Sequence, residues 1–149
     1  MIKINIFLIS LIFILNSCGF TPIHQKNKNL NFSIEKINYD GDREMNNFLK
    51  IYLDQFKNEK IKNKVSIEVN SIYQKTILSK DGAGVVTNYQ LEAEITFLIK
   101  QTNKKIKITE KKIMDSNDDK FEEARFEKTV KQNFASSITN KLVSELNIN

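Results

Sequence analysis

Along this chain the apolar positions recur with two periods, and each stretch keeps to one of them. Leu30, Phe32 and Ile34 alternate with Asn31, Ser33 and Glu35. A period of two marks a strand with one buried face, and its continuation to Ile37 and Tyr39 requires a bulge at Glu35-Lys36. Asp40-Gly41-Asp42 is a turn signal, with Asp42 placed to cap a helix. Met45, Phe48, Leu49, Tyr52, Leu53 and Phe56 then follow at steps of three and four, the spacing of a helix with a single buried stripe. That period makes the aromatic stripe core rather than a ligand box. Lys57 to Lys64 is polar and charged and closes the helix.

Alternation returns at Val65, Ile67, Val69, Ser71 and Tyr73, with Ile72 as an apolar exception on the outer face. Lys75 to Gly84 breaks the pattern. Lys80-Asp81-Gly82-Ala83-Gly84 reads as a hairpin connection in which Gly82 and Gly84 can take positive φ. It lacks the Lys-Ser/Thr and the following helix of a phosphate loop. Val85 to Lys100 is the longest alternation, with Tyr89, Leu91, Ala93, Ile95, Phe97 and Ile99 on one side. Sixteen residues at ~3.3 Å each span about 50 Å, so this strand must twist, bulge or project past the core. Glu92 and Glu94, two apart on the polar side, read as solvated positions rather than a catalytic carboxylate pair. After the turn at Thr102-Asn103-Lys104-Lys105, Ile106, Ile108 and Ile113 indicate a fourth strand. Asp119 with Ser116 or Glu122 can form a capping box, and the acidic run Asp118, Asp119, Glu122 and Glu123 suits the start of a helix. Phe121, Ala124, Val130, Phe134, Ala135, Ile138, Leu142 and Leu146 carry that helix on for roughly 40 Å, on a face that drifts around its axis.

The order is therefore β-α-β-β-β-α. Each strand has one apolar face and each helix one apolar stripe, and these can be buried only against each other. The result is an α+β two-layer sandwich: a four-stranded sheet with both helices on one face. Strands two to four fit a meander. The helix between strands one and two permits a parallel pair there, which makes the sheet mixed.

The first residues follow a different rule. Lys3 gives a positive start, Ile6 to Leu15 is apolar apart from Ser10, and Leu15-Asn16-Ser17-Cys18 follows. This is the layout of a secretory signal. The apolar run is well short of the roughly 20 residues that span a bilayer. Leu at −3, Ser at −1 and the only Cys of the chain at +1 resemble the bacterial lipobox, whose Cys is acylated after cleavage. Residues 1–17 are thus read as a lipoprotein signal peptide, 18–29 as acylated Cys and tether, and 30–149 as a single α+β domain. By resemblance to diderm lipoproteins, Gly19 at +2 implies export to the outer membrane. Several acyl chains hold a protein stably at a membrane surface.

Composition narrows the chemistry. The formal charge of +5 becomes +4 without Lys3, with 22 basic and 18 acidic residues. Arg occurs only as Arg43 and Arg125, and no basic helix with interleaved aromatics appears, so nucleic acid is not an expected partner. The basic excess favours anionic lipids or glycolipids. With Cys18 lipidated, no disulfide within the chain is available. His24 is the only His and has no companion ligands, so neither metal nor other cofactor is expected. No nucleophile elbow or Cys-His pair points to an enzyme. Lys104, Lys105, Lys107, Lys111 and Lys112 cluster on and around the fourth strand. Lys can guard an edge strand against aggregation. Alternatively, Lys104, Lys105 and Lys107 could take the phosphates of a lipid head group.

Taken together, Cys18-Gly19-Phe20-Thr21-Pro22-Ile23, Thr87-Asn88-Tyr89-Gln90-Leu91 with Ala93 to Leu98, and the Phe121 to Leu146 helix resemble the LPS-assembly lipoprotein family (LptE, also called RlpB). The element order is similar over nearly all of the chain after Cys18. Where family members often carry Arg near the start of the central strand, this chain has Asn88. The resemblance implies a non-enzymatic lipoprotein, anchored through acylated Cys18 at the periplasmic face of the outer membrane. Such a protein partners the β-barrel LptD as plug and assembly factor while lipopolysaccharide is delivered, with Lys104, Lys105 and Lys107 as candidates for lipid A phosphates. The rival reading is an accessory subunit of a lipid transporter or of the barrel-assembly machinery.

Overall fold

The computed structural model describes residues 31–147, so Cys18 and the tether lie outside the described residues. Its elements are β1 (Ser33–Gly41), α1 (Arg43–Leu53), a 3-10 turn (Asp54–Phe56), β2 (Lys64–Lys80), β3 (Val86–Ile99), β4 (Lys104–Asp115) and α2 (Lys120–Asn147). The sheet order is β1-β2-β3-β4. β1 runs parallel to β2, and the other two pairs are antiparallel, so the sheet is mixed. Helix α1 lies over β1 and β2, α2 lies over β3 and β4, and the two helices pack on each other.

Local chemistry sets the boundaries. The β1–β2 register shifts between Ile34 and Lys36, which keeps Ile37 and Tyr39 turned toward the core after Phe32 and Ile34. The Asp42 carboxylate accepts from the Met45 N–H at 2.8 Å, capping α1. Gly41 just before it has φ +91, and its Cα approaches the Ser71 main chain so closely that a Cβ would sit 2.0 Å from the Ser71 carbonyl oxygen. Only glycine permits this conformation and this contact. Asp119 caps α2, accepting from the N–H groups of Phe121 (2.9 Å) and Glu122 (3.3 Å).

The core joins both layers. Met45, Leu49 and Leu53 of α1 and Ile138 and Leu142 of α2 meet Val69, Leu91, Ile95 and Phe97 of the sheet, all buried. The opposite sheet face has no helix over it among the described residues.

Four expectations shift. β2 does not end near Lys75: main-chain pairing to β3 continues to Lys80, with irregularities between Ile77 and Lys80. Strand pairing needs only backbone groups, so it outlasts the side-chain alternation. In β4 it is Met114, not Ile113, that is buried, because it shares the even-numbered face with Ile106 and Ile108. In α2 the first turns bury Glu123, whereas Phe121 and Ala124 are exposed. Of the two hairpin glycines, only Gly84 takes positive φ.

Candidate interaction surface

The parts of the molecule that can meet a partner are set by what the core leaves over. On the open sheet face, side chains from β2, β3 and β4 form rows of opposite charge. Glu94 pairs with Lys107 at 2.8 Å, Glu92 with Lys111 at 3.0 Å, and Glu68 with Lys100 at 2.5 Å. Both glutamates of the β3 pair are half-buried, cross-strand partners of lysine on the open face, each such pair being a small contribution.

The sheet also has an apolar end. Asp115 at the end of β4 pairs with Asn88, and the Ser116 N–H donates to the Thr87 carbonyl at 2.8 Å. This places the β2–β3 hairpin, the end of β4 and the start of α2 together. Ile77, Leu78 and Val85 on the hairpin, Ile113 on β4, and Phe121 and Phe126 on α2 are all exposed there, Phe121 by 70%. These exposed apolar side chains make this end of the sheet a candidate contact surface. The hairpin itself is ordered by Asp81, whose carboxylate accepts from the N–H groups of Ala83 and Val85, each at 2.9 Å.

Between this end and the apolar core lies a layer of charge. The Lys75 ammonium reaches Glu123 at 2.9 Å and Glu127 at 3.0 Å, and stacks on the Tyr89 ring at 4.3 Å. The Tyr73 hydroxyl donates to Glu127 at 3.0 Å. Lys131 reaches Glu44 of α1 at 2.6 Å and lies over the Tyr73 ring at 4.2 Å. The Glu123 side chain, 7% exposed, also accepts from the Asn117 N–H and from Lys120. The bond from Lys75, and then that from Asn117, hold its carboxyl well below the usual carboxylate range, at about 2. Burial pushes Glu127 up, but the bonds from Lys75 and Tyr73 outweigh it and leave it lowered. Burial and then the Glu127 charge push the Tyr73 hydroxyl up, so it stays protonated as a donor.

This network docks the first turns of α2 onto β2 by charge, where the sequence pattern suggested apolar packing through Phe121. The signal that could have shown it is the pair Glu123 and Glu127, one turn apart. Lys75→Met should destabilise the protein by about 2 kcal/mol, the loss of charged hydrogen bonds to buried Glu123 and half-buried Glu127, readable from the urea midpoint. The pH response has a definite sign. Glu123 has a folded pKa below the ordinary 4.5, so its contribution is complete above pH 4.5 and is lost as the pH falls toward 2. Acid titration of the urea midpoint should show that fall, and Glu123→Gln should flatten it.

The three lysines proposed for lipid phosphate are divided by the pleat of β4. Lys104 lies on the helix side, 3.6 Å from Glu145 of α2. Lys105 and Lys107 lie on the open face, and Lys107 is held by Glu94. Lys105 borders a groove of about 400 Å³ with Asn38, Glu68 and Leu98. Cys18 and His24 lie outside the described residues. Among the described residues no group of three or more His, Cys, Asp or Glu could hold a metal, and no helix is long and apolar enough to cross a membrane.

The fold and its surfaces define a small α+β scaffold with one helix-covered and one open sheet face. Solved structures share that fold. It is similar to the rare lipoprotein B from Shewanella oneidensis (TM-score 0.53, 11% identity, 75% of this chain and 93% of that one). It is also similar to lipoprotein B from Nitrosomonas europaea (TM-score 0.55, 15% identity, 80% and 87%). A minor lipoprotein from Acinetobacter baumannii gives a TM-score of 0.50 at 16% identity, over 74% and 93%. No protein-family model matches the sequence. No curated protein matches it either.

Proposed function

We propose that this protein is an envelope lipoprotein, acylated at Cys18, at the periplasmic face of the outer membrane. There it partners an LptD-type β-barrel as plug and assembly factor for lipopolysaccharide. The reading is supported by the meeting of two independent facts. A lipobox-like Leu-Asn-Ser-Cys opens the chain, and the fold that follows is shared with structures described as lipoproteins, over 87% or more of their lengths. The open sheet face carries charged and polar rows that suit the polar lumen of a barrel. The exposed apolar end supplies a second contact. Of the three lysines, Lys105 is the one with no ion pair among the described residues, which makes it the strongest of them for a lipid A phosphate.

The test begins with the anchor. Cys18→Ser should abolish the acyl mass at the N-terminus and leave the protein soluble or uncleaved. Membrane fractionation of the variant as a mature lipoprotein would refute the assignment. Crosslinking and co-purification from native envelopes should then recover a large outer-membrane barrel. Recovery of an inner-membrane transporter or of the barrel-assembly machinery would favour the rival reading.

A further inference from the structure

Helix α2 is held down in two different ways along its length. From Val130 to Leu142 its inner face is apolar: Val130, Phe134, Ala135, Ile138 and Leu142 are all buried. From Lys120 to Thr129 the inner face is charged. In that stretch Glu123 is buried and Glu127 half-buried, and the other residues, Phe121 and Phe126 among them, are exposed.

Glu123 and Glu127 stand one turn apart and share the Lys75 ammonium. The Tyr73 hydroxyl also donates to Glu127, and the Asn117 N–H and Lys120 donate to Glu123. Two more cations touch this stretch. Lys131 lies 3.4 Å from Glu127 while it bonds Glu44 of α1, and Lys112 of β4 lies 5.4 Å from the centre of the Phe126 ring. Beneath, the packing is apolar and incomplete. Met114 of β4, 2% exposed, lines a cavity of about 300 Å³ with Glu122, Glu123 and Phe126, and the Tyr89 ring of β3 lies under the Lys75 ammonium.

A helical stretch shorter than ~12 residues is marginal in water by itself, so these turns stay wound only while something holds them. Apolar burial holds the second half of α2, and hydrogen-bonded charge holds the first. Stability is uneven within a fold, and contiguous segments with few buried apolar contacts open before the rest.

We propose that Lys120–Thr129 is a flap latched by Lys75, which opens by unwinding back to Val130 while the remainder of α2 stays packed. Opening uncovers Met114 and Tyr89 beside Ile113, Phe121 and Phe126, and so enlarges the exposed apolar end. The device requires neither acylation nor a barrel partner.

Amide hydrogen exchange on the full chain in detergent, read by NMR on the helical amides 124–129 and 134–142, tests it. In the parent chain, amides 124–129 should share one protection factor and exchange at least about tenfold faster than 134–142. Ile138 keeps its packing when the flap opens and loses it only on unfolding. Ile138→Val should therefore speed amides 134–142 about fivefold and leave 124–129 unchanged. Lys75→Met removes the latch and should speed 124–129 about thirtyfold. Hydrogen peroxide gives a second readout. Met45 of α1 and Met114 are both buried, but Met114 alone of the two lies beneath the flap. Its oxidation should outpace that of Met45 and quicken with amides 124–129 in Lys75→Met. Equal protection in the two halves of α2 overturns the proposal, as does a gradient from Lys120 inward, the mark of simple fraying. So does an Ile138→Val effect of equal size on both halves, unchanged exchange of 124–129 in Lys75→Met, or oxidation of Met114 and Met45 at one rate.

Discussion

Gly41→Ala is expected to cost more than about 3 kcal/mol, a large share of the stability of a domain this size. Two penalties combine. The residue holds φ +91, and its new Cβ would lie 2.0 Å from the Ser71 carbonyl oxygen and 2.9 Å from the Ser71 nitrogen. Both obstacles are backbone, so no side chain can swing aside. The strand β1 would have to part from β2 where the Asp42 N–H donates to the Ser71 carbonyl at 2.9 Å. The urea midpoint should fall sharply. Gly84→Ala provides the comparison: φ is +83 there, but nothing lies within 4 Å of a Cβ. It should cost only the left-handed strain, about 1 kcal/mol. Equal costs at the two positions would show that conformation, not contact, governs Gly41.

Phe97→Ala is the second large effect, at about 4 kcal/mol from the cavity and the lost transfer energy. Phe97 is fully buried at the centre of β3, between Val69 of β2 and Ile106 of β4 in register, under the helices. A drop in urea midpoint with unchanged slope would report it. Ile113→Ala, at a position 60% exposed on β4, should stay within about 0.5 kcal/mol. If Ile113→Ala costs as much as Phe97→Ala, the face assigned to β4 is wrong.

Much of this fold was legible one element at a time. The α1 stripe, the Asp42 cap, the bulge after Ile34 and the alternation of β3 are all local facts, written in spacing and residue type. The errors share one source. Phe121 and Ile113 are apolar and sit near the ends of periodic runs, and spacing cannot tell whether an opposing layer reaches that far. Glu123 looked like a helix-dipole residue. Its burial depends on Lys75, 48 positions away.

The candidate surfaces divide the same way. The lysine cluster is visible as composition, but the pleat sends Lys104 to the helix side and Lys105 and Lys107 to the other. The charge partners of Lys104 and Lys107 come from α2 and β3, and no local pattern names them.

The sequence alone determined the kind and order of the elements, the buried faces of α1 and β3, and the lipobox-like start, because periodicity and short motifs act between near neighbours in the chain. Tertiary structure alone decided which charges meet, which apolar residues stay uncovered, and that charge docks the first turns of α2 onto β2. Those outcomes depend on how the β1-α1-β2 crossover and the β2-β3-β4 meander bring distant segments together.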